Sequence, residues 1–140
     1  MLRPLIFELK NNLSLRPHWM NAVMFFCFYM TFIYLPWDIF VKPLADDQEV
    51  WFGILFYGWL AKLGGVLHWI VYGSFAFGLW GMRSWLHPWI EIYILQVALS
   101  MLLWGSLENG SSISWSALVP GAFFTFLAFC VYKNRALLKF

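Results

Sequence analysis

Residues 50–82 read VWFGILFYGWLAKLGGVLHWIVYGSFAFGLWGM, a mostly apolar run interrupted once, at Lys62-Leu63-Gly64-Gly65. How this run divides decides the fold. A helix rises ~1.5 Å per residue and the hydrocarbon core of a bilayer is ~30 Å thick, so a crossing takes roughly 20 apolar residues, with about 17 as the lower limit. Two crossings do not fit, because Trp51–Ala61 would cover only ~16 Å as a helix. The run therefore predicts one span at Val66–Met82, preceded by an interfacial or re-entrant helix at Trp51–Ala61, with Lys62 and the two glycines turning the chain between them. The alternative is one long tilted helix over the whole run, since isolated glycines are tolerated in membrane helices.

Outward from this run, three further stretches reach spanning length. Asn21–Val41 is uncharged until Asp38; it is too long for a signal-peptide core and lacks a small-x-small cleavage site. Trp89–Leu107 follows His87-Pro88, which places a proline where a helix start tolerates one. Trp115–Tyr132 follows the turn signal Asn109-Gly110-Ser111-Ser112, with Pro120 in its first turns. Composition agrees: hydrophobic residues make up 62% of the 140 and charged ones 11%, against roughly 25% charged in a soluble domain. So short a chain with so few charges cannot cover a water-soluble surface. The expectation is one membrane domain over residues 1–140, an all-α bundle of four transmembrane helices.

Charge bias is independent of hydropathy and orients the bundle. Arg3, Lys10 and Arg16 precede the first span, Arg83 lies between spans two and three, and Lys133, Arg135 and Lys139 follow the fourth. Seven of the nine Lys/Arg thus share one side, which predicts an integral, multi-pass protein with both termini cytoplasmic. Lys42 and Lys62 fall on the other side with Asp46, Asp47, Glu49 and Glu108. Tryptophans give a second test, because they prefer the headgroup level. Trp19, Trp80, Trp85 and Trp89 fall at the inner interface, and Trp37, Trp51, Trp59, Trp69, Trp104 and Trp115 at the outer one. At the N-terminus, Leu2, Leu5, Ile6, Leu9 and Leu13 recur at helical spacing, the pattern of an amphipathic helix lying on the cytoplasmic surface within residues 1–18.

Several activities are excluded or left without support. A net charge of +2 with basic residues at the chain ends gives no nucleic-acid patch. Cys27 and Cys130 form no CxxC pair and read as buried thiols. His18, His68 and His87 stand in separate segments with no metal-ligand spacing, and phosphate-loop, dinucleotide-binding and nucleophile-elbow patterns are absent. No metal ion or cofactor is expected, no catalytic residue is identified, and the reading leans away from an enzyme.

What chemistry remains lies in polar residues within the spans, each costly enough in lipid to be a candidate site. Asp38 ends the first span. His68 stands one turn into the second, with Tyr72 one turn further on the same face. Gln96 lies near the middle of the third, with Tyr93 and Ser100 on its face. If these faces converge, Asp38, His68, Tyr72, Gln96 and Ser100 form a ligand-binding pocket. Otherwise Asp38 sits at the headgroups while His68, Gln96 and Ser100 join helices by hydrogen bonds. Glu91 is expected to reach water or to pair with Arg83. The spacing Ser74-xxx-Gly78 predicts a close helix contact.

The order of these features resembles the EXPERA group, four-helix membrane proteins related to the emopamil-binding sterol isomerase and the sigma-2 receptor. The similarity lies in LPWDIF with Asp38 late in the first helix, an aromatic second helix, MRSWLHPWIEIY leading into the third, and LVPGAFF with the basic tail YKNRALLKF in the fourth. The resemblance covers about Met20 to Phe140 as a layout and implies a ligand site that includes Asp38. That group carries a membrane-embedded carboxylate on its second helix, where this chain offers only His68 or Lys62.

Three functions follow. The first is a structural or accessory subunit packed, through its aromatic surface, against a larger membrane complex or other copies of itself. The second is binding or isomerisation of a lipophilic small molecule, sterol-like or isoprenoid, in an intramembrane pocket. The third is a transporter or channel component, for which there is neither a charged mid-membrane series nor an inverted repeat.

Overall fold

The computed structural model describes residues 2–108 and 114–139, with side chains at 7–106 and 114–139. The turn expected at Asn109–Ser112 lies outside the described residues. Among the described residues, five helices and one hairpin, besides two short 3-10 turns, make up the fold: α1 (Leu2–Leu13), α2 (His18–Phe40), β1 (Gln48–Trp51), β2 (Ile54–Tyr57), α3 (Gly58–Trp80), α4 (Leu86–Glu108) and α5 (Trp115–Lys133). Four stretches, His18–Phe40, Gly58–Trp80, Leu86–Ser106 and Trp115–Lys133, are long and apolar enough to cross a membrane. The architecture is all-α apart from the two-stranded sheet.

Of the helix expected at Trp51–Ala61, residues 51–57 form instead an antiparallel hairpin, with Trp51 opposite Ile54 and Gln48 opposite Tyr57, and residues 58–61 begin α3. Two-residue hairpin loops favour positive φ at both central positions, because that twist matches the twist of the strands. Phe52 at 51° and Gly53 at 78° supply it. A Cβ at Gly53 would also stand 2.6 Å from Leu103 Cβ, so this turn sits directly on α4. The chain then turns at Gly58, whose φ is 58°, and α3 runs unbroken through Lys62 and the glycine pair. The glycines expected to interrupt the run instead pack the helix: Gly64 lies under the Trp51 indole and Gly65 against Asp38 and Ile39.

The long helices associate as two pairs. Along α4 and α5 the contact is extensive, and small residues bring the backbones together. A Cβ at Gly105 would lie 2.3 Å from Ala117 Cβ, and one at Gly121 2.5 Å from Leu102. The other pair is α2 and α3, in contact near Thr31 and Gly73. Between pairs, α3 and α4 touch only sparingly. Of the Ser74-xxx-Gly78 spacing, Gly78 makes the close contact, beneath Leu86.

An apolar core closes the end of the bundle that carries α1. Met20, Met24 and Cys27 from α2 meet Phe75, Ala76 and Leu79 from α3, and Leu86, Ile90, Ala128 and Val131 from α4 and α5. Cys27 is buried and free, as is the part-buried Cys130. Arg16 ties α1 to this end: Nη1 donates to Leu79 O at 2.8 Å, Nε to Asn21 Oδ1 at 2.6 Å, and Nη2 to Asn12. Burial pulls the Arg16 pKa below its usual value. The charge is offset by the carbonyl end of α3, where a helix dipole favours a cation. Glu91, expected near Arg83 or water, is buried and pairs instead with His87 Nδ1 at 2.8 Å, one turn earlier on α4.

Midway along α2 the helix widens into a π-turn at Met30–Tyr34. The cause is legible in the backbone. Leu35 N–H bonds Met30 O, and Pro36 has no N–H to offer. Thr31 O is therefore without a helical donor, and Trp69 Nε1 of α3 supplies one at 2.7 Å. An unpaired buried carbonyl costs roughly 1–3 kcal/mol. Trp69→Phe is accordingly expected to lower the thermal unfolding midpoint in detergent by a few degrees, while Trp59→Phe, at an exposed indole, leaves it unchanged.

Candidate functional site

At the hairpin end of the bundle the polar residues sort into two adjoining groups. The outer one is ionic. Asp47, 1% exposed, receives Lys42 Nζ at 3.0 Å on Oδ1 and Lys62 Nζ at 3.1 Å on Oδ2. Lys42 also reaches Asp38 Oδ1 at 3.1 Å, an i,i+4 pair at the end of α2. Lys62 Nζ donates in addition to Lys42 O at 3.0 Å and to the backbone carbonyl of Asp38. One short loop thereby binds the end of α2 to the start of α3.

Behind it lies the inner group, centred on His68. Glu49 of β1 brings Oε2 to 3.3 Å from His68 Nε2, and the Tyr93 hydroxyl of α4 bonds His68 Nδ1. The Trp51 indole stacks on the imidazole, with ring centroids 4.1 Å apart and planes at 23°. Tyr72 and Tyr93 meet edge-on at 5.6 Å. With Nε2–H donating to Glu49, Nδ1 is left to accept from the Tyr93 O–H. Both imidazole nitrogens are thus engaged.

A cavity of about 330 Å³ opens beside this group, between α2, β1, α3 and α4. Four of the five expected site residues line it: His68 and Tyr72 from α3, and Gln96 and Ser100 from α4. Asp38 is not among its lining residues; it lies against Gly65, one turn before His68, and is held by Lys42. Met30, Tyr34 and Leu35 of α2 and Trp104 of α4 complete an apolar and aromatic wall, and Glu49 adds a carboxylate. Gln96 Nε2 donates to Ser100 Oγ at 2.9 Å, while its Oε1 is buried with no hydrogen-bond partner.

A second, larger cavity of about 510 Å³ follows the seam between α3 and α4 and has Gln96 in common with the first. Both volumes fall in the ~300–1,000 Å³ range of small-molecule sites, which are mostly apolar with a few placed polar groups. Among the described residues, no group of three or more His, Cys, Asp or Glu gathers closely enough to hold a metal ion. Sequence reasoning put Tyr93 on the right face without assigning it to the site. Glu49 and Trp51 were missed as site residues, because only the hairpin carries them to His68.

No protein-family model, curated protein or solved structure matches the chain.

Burial opposes ionisation of Asp47, but the ammonium groups of Lys42 and Lys62 outweigh it and hold the carboxyl below the usual carboxylate range. Lys42 is likewise desolvated, yet Asp47 and Asp38 hold its pKa above the usual lysine value. The signs follow by linkage. Asp47 contributes stability above the ordinary carboxylate pKa of ~3.9, and this is lost as pH falls through its depressed folded value. Lys42 contributes below the ordinary lysine pKa of ~10.4, and this is lost as pH rises through its raised one. Removing one partner of a buried pair costs roughly 3–5 kcal/mol. Asp47→Asn is expected to destabilise the protein at neutral pH by an amount of that order and to flatten the acid limb of its stability profile, measured by thermal unfolding from pH 3 to 8.

Proposed function

We propose that this chain is an integral membrane protein whose four long helices cross the bilayer with both termini on the cytoplasmic side. We propose further that its cavity beside His68 binds a lipophilic small molecule. The orientation rests on the basic residues, seven of nine of which fall on the side of the termini. The binding reading rests on one observation: His68, Tyr72, Gln96 and Ser100, from two helices and far apart in sequence, line a single cavity with apolar and aromatic walls. Such a lining suits a molecule that is apolar over most of its surface and polar at one end.

The accessory-subunit reading draws on the exposed aromatic surface. Immersion in lipid accounts for that surface without a protein partner, so it favours neither reading. Proton transfer within the pocket, as isomerisation of the ligand would need, has a candidate chain in Glu49, His68 and Tyr93. Kinship with the EXPERA group stays a proposal drawn from layout. Glu49, reaching His68 from the hairpin, would set a carboxylate beside the second long helix from a different element.

Two measurements test these readings. Reporter fusions after Lys139 and near Leu107 are expected to place the first in the cytoplasm and the second outside it; a non-cytoplasmic C-terminus would refute the orientation. Native mass spectrometry of gently purified protein is expected to show a bound lipophile at one per chain. His68→Leu, which removes both polar contacts of the imidazole, is expected to lower its occupancy several-fold. A lipid-free chain of unchanged mass would sink the binding reading, and a stoichiometric protein partner would bring the subunit reading forward.

A further inference from the structure

The larger cavity is open sideways. Ile70 of α3 and Ile92, Leu95 and Leu99 of α4, which line it, are all exposed on the outer surface of the bundle. The seam exists because α3 packs on α2 and α4 on α5, leaving α3 and α4 in sparing contact. The groove is apolar along its length, with Ser74, Tyr93 and Gln96 as the hydroxyl- and amide-bearing residues in its lining. Gln96 lines both cavities, so the outer groove and the inner chamber adjoin at this residue.

The Gln96 amide has one end bonded to Ser100 and the other unpaired. Turning the amide over would exchange the two ends without satisfying both. A buried polar atom with no partner is a standing cost to the protein, and a ligand that supplies the partner removes it. A hydroxyl both donates and accepts, so it meets whichever end is free. With the amide oriented to donate to Ser100, an ether or ketone, which only accepts, leaves the free carbonyl oxygen unpaired.

We propose that the groove between α3 and α4 is the tail subsite and lateral entrance for a hydroxyl-ended lipid drawn from the bilayer, with Gln96 as the residue that selects the hydroxyl. The proposal rests on the binding reading above and names its ligand class and route. The chain of the lipid lies along Ile70, Ile92 and Leu99, and its hydroxyl reaches Gln96 at the mouth of the inner chamber.

The test uses the full chain in lipid nanodiscs, with hexadecanol, its methyl ether, the matching methyl ketone and octanol at equal mole fraction in the lipid. Binding is read by native mass spectrometry and by thermal shift. Hexadecanol is expected to bind about tenfold or more tightly than the ether or the ketone, the size of one well-made hydrogen bond. Gln96→Leu removes the unpaired atom and is expected to raise the midpoint of the empty protein while abolishing the preference for the alcohol. Ser74→Phe fills the groove and is expected to weaken hexadecanol about tenfold while leaving octanol, which needs less of the groove, little changed. Equal binding of alcohol and ether, or tighter binding of the ketone, overturns the selection by Gln96. An unaltered hexadecanol affinity in Ser74→Phe overturns the route. Either result leaves the binding reading standing, whereas failure of all four probes to bind removes both.

Discussion

Much of the structure depends on how Asp47 is held. Its carboxylate is withdrawn from water between two ammonium groups, one from Lys42, two residues past α2, and one from Lys62 in the first turns of α3. A buried ion pair of this kind adds little net stability over a well-packed apolar contact, but breaking it is expensive, so it fixes geometry. What it fixes is the start of the hairpin. Asp47 O accepts from Gly58 N–H at 3.2 Å, closing the base of the two strands. Glu49 and Trp51 are then two residues apart on one strand and so face the same side. Both meet His68, one by its carboxylate and the other by its ring. The site is thus an outcome of the loop that caps the bundle.

The same economy of polar groups explains the two-pair packing. Where α4 and α5 meet, glycine and alanine allow close approach and no cavity is needed. Where α3 faces α4 at the hairpin end, bulky aromatic and amide side chains stand between the backbones, and the His68–Tyr93 hydrogen bond crosses the gap. His68, Tyr93 and Gln96 occupy that interface, and the volumes beside them follow from their size. In a bilayer such contacts are modest in energy, about 0.6 kcal/mol each on average. They set the spacing of the helices more than they clamp them.

Helix count and the site's faces were legible in the sequence because both are local periodicities. Run length against bilayer thickness accounts for four long helices, and the i,i+4 spacing of His68 with Tyr72 and of Gln96 with Ser100 puts side chains that line one cavity on common faces. The hairpin was not legible. Trp51–Ala61 is as apolar as a helix would be, and a short apolar run cannot be assigned by periodicity alone. Its β-branched and aromatic residues on either side of Phe52-Gly53 were the available signal. Asp38 was read as a pocket residue from its depth, but its partner was decided by Lys42, one helical turn later, and by a loop that brings Asp47 to the same lysine. Pro36 announced a disturbance in α2; nothing local announced that Trp69 would repair it.

Among the described residues, Gln96 Oε1 and Glu91 Oε2 are buried oxygens with neither a hydrogen bond nor an ion pair, and Trp51 Nε1 is a buried donor without an acceptor. Glu91 lies toward the closed end, on the helix whose neighbours Ile90 and Ile94 belong to the apolar core, and its other oxygen is already paired with His87. None of the cavities described above is lined by it. Gln96 belongs to two cavities at once, on the seam where α3 and α4 stand apart. An unsatisfied atom in a packed region is a cost with no remedy short of rearrangement. The same atom in a residue bordering open volume is a cost that a guest molecule can remove. That difference in surroundings, more than the identity of either residue, directs attention to the seam between α3 and α4.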